Sequence, residues 1–87
     1  MHVQDEASDW KQSAAAVLDA RPILAAGDEP FEQIMLAAAS TPTGEALVII
    51  APFEPAPLYG ALGVQGFTHE TRCIAADEWV VRFTRAS

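Results

Sequence analysis

Five consecutive apolar residues, Ala46-Leu47-Val48-Ile49-Ile50, run directly into a proline-rich turn, Ala51-Pro52-Phe53-Glu54-Pro55-Ala56-Pro57-Leu58-Tyr59. A strand that is apolar at every position buries both of its faces, so it belongs in the middle of a sheet. The prolines that follow cannot donate to a β-ladder and hold φ at about −65°, which ends the strand. Pro57 suits a first helical turn, where the missing N–H is no loss, and Leu58, Ala61 and Leu62 supply an apolar stripe. The stretch therefore predicts a central strand, a stiffened turn and a helix over roughly residues 56–64, stopped at Gly66. Gly60 and Gly63 weaken that helix by about 1 kcal/mol each relative to alanine, and are read as permitting close packing on the sheet. Turns of this strand-to-helix kind commonly hold binding sites in α/β folds.

The remaining elements fall around this one. Ala14-Ala15-Ala16-Val17-Leu18-Asp19 predicts a first strand, stopped by Arg21-Pro22, although alanines are weak strand formers. Gly27-Asp28-Glu29-Pro30 opens a helix: Asp28 caps it, Glu29 complements the helix dipole and Pro30 is tolerated in the first turn. Phe31, Ile34, Met35 and Ala38 follow at helical spacing on one stripe, and Ser40-Thr41-Pro42-Thr43-Gly44 ends the helix. Phe67 to Ile74 and Glu78 to Arg85 read as an antiparallel hairpin about residues 75–77. In its second strand Trp79, Val81 and Phe83 share one face, and Val80, Arg82 and Thr84 the other. The expected fold is an α/β two-layer sandwich of order βαβαββ, a four-stranded mixed sheet with a right-handed parallel crossover and two helices on one face. Residues 1–13 read as a flexible acidic tail and residues 14–87 as the single domain. Trp10 in that tail either anchors a partner or lies back on the domain, and His2 has no specific role.

Charge narrows the partners. Twelve acidic and five basic side chains give a formal net charge of −7. Lys11, Arg21, Arg72, Arg82 and Arg85 are scattered along the chain, so the phosphate-neutralising surface that nucleic acid or an anionic membrane requires is missing. A basic protein partner is compatible with this balance. The longest apolar runs fall far short of the ~20 residues of a membrane-spanning helix, and no charged segment leads into a secretory apolar region. Cys73 is the only cysteine, which excludes an internal disulfide and fits a reducing cytoplasm.

Four segments carry a family resemblance: Leu18-Asp19-Ala20-Arg21-Pro22, Pro42-Thr43-Gly44-Glu45-Ala46-Leu47, Glu54-Pro55-Ala56-Pro57-Leu58-Tyr59 and Glu78-Trp79-Val80-Val81-Arg82-Phe83-Thr84-Arg85. In this order and spacing, over about residues 17–85, the chain resembles the domain of unknown function 2249 family of uncharacterised bacterial proteins, allied to the SirA/TusA-like group. The resemblance implies a SirA/TusA-like fold in a bacterial cytoplasmic protein. Some relatives lie fused to or beside domains of respiratory or nitrogen-oxide metabolism. Sulfur-carrier members of the wider group hold a Cys-Pro-x-Pro motif where the first helix begins, and a helix N-terminus favours the thiolate there. This chain has Gly27-Asp28-Glu29-Pro30 at that place, with glycine in the cysteine's position and two carboxylates that would repel a thiolate. Sulfur relay by that mechanism is excluded at the position.

Among the remaining candidates, the parallel strands place Asp19, Arg21, Glu54 and Tyr59 at one sheet edge, beside Pro55 and Pro57. The functional reading is a docking site for a protein partner or a small ligand; the structural reading is an Asp–Arg ion pair and a capping glutamate that fix two turns. Two carboxylates and a guanidinium permit acid–base work, but no nucleophile–base pair, phosphate loop or metal set points to a reaction. His69 and Cys73 share a strand face about 13 Å apart, too far to chelate one ion between them, and no cofactor is expected. His69 reads as a half-buried sheet residue. Cys73 reads as a small buried hydrophobe, with a reactive carrier thiol as the competing reading. The expectation is a non-enzymatic interaction or accessory module; the alternatives are a sulfur or redox carrier, a small-ligand-binding protein, and a homodimer formed through the open sheet face.

Overall fold

The computed structural model describes residues 7–86; residues 1–6 and 87, and with them the reading of His2, lie outside the described residues. The elements are α1 (Ser8–Ser13), β1 (Ala16–Asp19), α2 (Arg21–Ala25), α3 (Phe31–Ala39), β2 (Ala46–Ala51), α4 (Ala56–Gly63), β3 (Phe67–Ala75) and β4 (Glu78–Arg85). The four strands form one mixed sheet in the order β1-β2-β4-β3. β1 runs parallel to β2, and β4 is antiparallel to both β2 and β3. The domain is a small α/β fold, and β2 is central and buried on both faces, as its unbroken apolar run predicts.

Strand alternation divides the core in two. Leu47 and Ile49 of β2, Val81 and Phe83 of β4 and Phe67 of β3 face α3 and α4, where Ile34, Ala38, Leu58 and Leu62 meet them. Each of the large aliphatic side chains fully buried here contributes about 1.5–3 kcal/mol. Val48, Ile50 and Val80 point the other way, and this second face is not bare: Ala7 and Trp10 of the α1 segment pack on it. Two expectations are corrected by this. Of the expected tail, the described residues from Ala7 onward lie against the sheet with Trp10 only 4% exposed, and helices cover both faces. The indole buries a large apolar area there, and the Lys11–Glu78 and Asp9–Arg72 pairs tie the same segment to the sheet. Trp10 thus lies back on the domain.

Local chemistry explains the helix ends. Arg21-Pro22 does stop β1, but it also opens α2, because proline is as acceptable in a first helical turn as it is disruptive in a strand. The start of α3 is held by Glu29, whose Oε1 accepts the Phe31 N–H at 3.0 Å, and not by Asp28. At the other end of α3, Arg85 donates from Nη2 to the Ala38 carbonyl and from Nε to the Thr41 carbonyl, both at 2.7 Å. The Ala38 carbonyl, near the helix end, also accepts the Thr41 N–H at 3.1 Å, so Arg85 adds a second donor to it. The proline turn behaves as expected: Pro55 precedes the first residue of α4 and Pro57 sits in its first turn. Gly66, at φ 94°, reverses the chain into β3. A Cβ at Gly60 or Gly63 would meet nothing within 4 Å, so neither glycine is there for close packing on the sheet.

Candidate functional site

The residues expected to form one polar cluster are separated into two. Leu18 packs in the α3/α4 core, so its neighbour Asp19 projects toward the opposite, α1-covered face. There Asp19 accepts three hydrogen bonds from Arg21: from the backbone N–H and Nε at 3.0 Å to Oδ1, and from Nη2 at 2.9 Å to Oδ2. Arg21 also lies 3.8 Å from Glu78, which lies 3.5 Å from Lys11 of α1. The guanidinium hydrogen-bonded to Asp19 holds its carboxyl below the ordinary value, and the same bond raises Arg21 further. This arrangement ties the β1–α2 turn to the beginning of β4.

Glu54 and Tyr59 sit on the other face and toward the other edge. The Tyr59 hydroxyl donates to Glu54 Oε2 at 3.1 Å and shares a hydrogen bond with Thr71 Oγ1 at 2.7 Å. Its ring stacks on His69, centroids 3.9 Å apart and planes 2° from parallel. Burial raises the Tyr59 phenol above its ordinary pKa, the Thr71 hydrogen bond opposes the rise, and the Glu54 carboxylate adds to it. The phenol is therefore a neutral hydrogen-bond donor at physiological pH. Two intervening strands, β2 and β4, separate β1 from β3 by about 14 Å; that order is why Asp19 and Tyr59 do not meet.

Between these clusters, at the carboxyl ends of β1 and β2, lies an apolar cleft of about 480 Å³. Ile49 and Ala51 form its floor, Ala20 and Leu24 one wall, and Pro55, Pro57 and Leu58 the other. Phe31 and Phe53 stand at its mouth, 47% and 54% exposed. The position outside the carboxyl ends of parallel strands is where open α/β sheets hold ligands. Pro55 and Pro57 are thus placed in a cleft, as side chains that shape it. Glu29 carries the one ionisable side chain of the lining, so the cleft presents shape and apolar surface and no nucleophile.

Sequence reasoning passed over Phe31 and Phe53. A signal was present: both belong to the same tripeptide, Pro30-Phe31-Glu32 and Pro52-Phe53-Glu54, each placing an aromatic ring between a stiff residue and a charged one. Cys73 is exposed, against the expectation of a buried hydrophobe, and its Sγ donates to the Ala75 carbonyl at 3.4 Å beside a β-bulge. Arg72 does not accompany the thiol, because alternation sends it to the opposite face, over Trp10. His69 is likewise exposed, one face of its ring against Tyr59. Among the described residues, no group of three or more His, Cys, Asp and Glu is placed to hold a metal ion. No helix among them is long and apolar enough to cross a membrane.

The class defined by this geometry is a small α/β domain, a four-stranded mixed sheet with an apolar cleft at the ends of its parallel strands. The chain belongs to the family described as uncharacterized conserved protein (DUF2249), whose model matches residues 17–85. No curated protein and no solved structure matches it.

Proposed function

We propose that this chain is a non-enzymatic interaction module of SirA/TusA-like fold, working in the bacterial cytoplasm, whose apolar cleft docks a protein partner. The observation that carries the reading is the cleft itself, apolar in floor and walls and flanked by two phenylalanines that stay exposed. Exposed aromatic side chains grouped around a concavity are characteristic of binding surfaces. The helix start that carries cysteine in the sulfur carriers of the group has Gly27-Asp28-Glu29 here, which supports a docking role over sulfur relay. Within the docking set read from sequence, Pro55 and Pro57 shape the cleft, Glu54 and Tyr59 flank it, and Asp19 and Arg21 hold the neighbouring turn.

Amide chemical-shift mapping with indole, a neutral aromatic probe, tests this reading. Saturable shifts at Ala20, Ile34, Ala51 and Leu58, lost in the Phe31→Ala/Phe53→Ala variant, are expected. Shifts absent from these positions at saturating indole would discard the cleft. A second reading, a sulfur or redox carrier in sulfur or respiratory nitrogen-oxide metabolism, is favoured by one observation, the exposure of the Cys73 thiol.

A further inference from the structure

Four of the five basic side chains keep to one side of the fold. Lys11, Arg21, Arg72 and Arg82 all lie toward the α1-covered face, paired there with Glu78, Asp19, Asp9 and Glu70. Arg85 is bound to the carbonyls of Ala38 and Thr41 at the end of α3 remote from the cleft. These five are all the lysines and arginines of the chain. None is left for the cleft, whereas Glu29 lines it and three further carboxylates adjoin its lining residues along the chain. Asp28, Glu29 and Glu32 occupy the lip that carries Phe31, and Glu54 the lip that carries Phe53; all four residues are exposed. Among the described residues, no ion pair joins any of these four to a lysine or arginine.

We infer that the occupant of the cleft is a peptide segment of another protein that presents an apolar side chain flanked by lysine or arginine. This rests on the docking reading above and names its partner class. The floor and walls call for an apolar anchor, and a volume of about 480 Å³ lies within the range of clefts that bury a ligand group. The negative charge stands outside that floor, on two lips, so the complementary cations must be carried beside the anchor and on either side of it. Successive side chains of an extended peptide do this. A compact small molecule instead needs polar groups converging inside the pocket to orient it; the lining offers Glu29 alone, with Oε1 already taken by the Phe31 N–H. Phe31 and Phe53 add ring faces against which a flanking guanidinium or ammonium is favourable. Charge complementarity of this kind selects partners and speeds their encounter.

The test titrates the full chain with two short synthetic peptides that share a central leucine–phenylalanine pair. One carries lysine and arginine on both flanks and the other glutamate at the same positions; indole is the third probe. The basic peptide is expected to shift the amides of Ala20, Ile34 and Ala51 and to bind about tenfold or more tightly than the acidic one at low salt. Raising ionic strength should shrink that preference, and so should the D28N/E29Q/E32Q variant, in which Gln at position 29 can still accept the Phe31 N–H. Equal binding of the two peptides, or a preference indifferent to both salt and the variant, overturns the inference. Indole bound in the cleft with neither peptide binding also overturns it, while leaving the cleft as a binding site. Failure of indole as well removes the docking reading, and the inference with it.

Discussion

Arg72 lies over the ring of Trp10, its guanidinium carbon 3.9 Å from the ring centroid, and Arg82 approaches the same ring at 4.8 Å. The indole is thus packed on Val48, Ile50 and Val80 and overlaid by two cations from the last two strands. Arg72 also bonds Asp9 at 2.9 Å, so one side chain of β3 holds two consecutive residues of α1. Trp10→Ala is expected to cost about 3 kcal/mol or more of unfolding free energy, the usual cost of removing a buried tryptophan. Urea unfolding checks this, and a loss below about 1 kcal/mol would mean that α1 is not anchored through its indole.

Arg85 supports the opposite end of the fold. Its fork spans the Ala38 and Thr41 carbonyls, and its guanidinium carbon lies 4.6 Å from the Phe67 ring centroid. Lysine keeps the charge but lacks the fork. Arg85→Lys should therefore lower stability by about 1–3 kcal/mol with an unchanged urea m-value. An unaltered midpoint would show that the fork adds nothing.

Two glycines should respond in opposite directions. Gly60 lies inside α4 with open space where a Cβ would stand, so Gly60→Ala should stabilise by about 0.4–1 kcal/mol. Gly66 has φ 94°, a conformation that side chains resist, and Gly66→Ala should destabilise. Denaturation midpoints of the two variants shifting the same way would contradict this account of the α4–β3 connection.

Stability in acid should depend on Asp19. Its pKa is lower in the folded chain than in the unfolded one, so its pairing with Arg21 stabilises above the unfolded carboxylate value of about 3.9. That contribution is lost as pH falls through the lower folded value. The pair is more than a third exposed, which keeps the effect below about 1 kcal/mol. Asp19→Asn should flatten the acid limb of stability against pH without abolishing it, because Asp9, lowered by its hydrogen bond to Arg72, acts in the same direction. An acid limb identical in the variant would remove Asp19 from the account.

Cys73 should react with iodoacetamide in native buffer at a rate close to that of the urea-unfolded chain. A thiol that reacts only on unfolding would contradict its exposure and end the carrier reading.

The parts of the fold legible in the sequence are those whose own residues impose a pattern. β2 is apolar at every position because both of its faces are buried, α3 shows its stripe, and the hairpin alternates. α1 left no such trace, since six residues with one indole have no periodicity to read. α2 was concealed because Arg21-Pro22 signals a strand's end and a helix's beginning with the same residues. The candidate site was misjoined for a different reason. Each turn falls where the sequence puts it along the chain, but the insertion of β4 between β2 and β3 is a pairing choice made by tertiary packing, and it decides that Tyr59 meets Thr71 and His69 while Asp19 meets Arg21, which in turn reaches Glu78. The cleft depends on Phe31, at the start of α3, and Phe53, in the turn after β2, flanking the same concavity, which no local pattern records.

The placement of four of the five basic side chains on one face has a consequence at distances beyond contact. On the α1-covered face four cations are set against Asp9, Asp19, Glu70 and Glu78, whereas Asp28, Glu29, Glu32 and Glu54, off the centre of the fold, have no such partner among the described residues. Those four charges, set to one side, add a torque to the attraction that a positively charged partner's field exerts on them. Within a Debye length of about 8 Å at physiological salt, a positively charged surface would turn the molecule cleft-first before the two touch. Fewer encounters would then be lost to wrong orientation, and the gain would fade as added salt shortens the reach of the field.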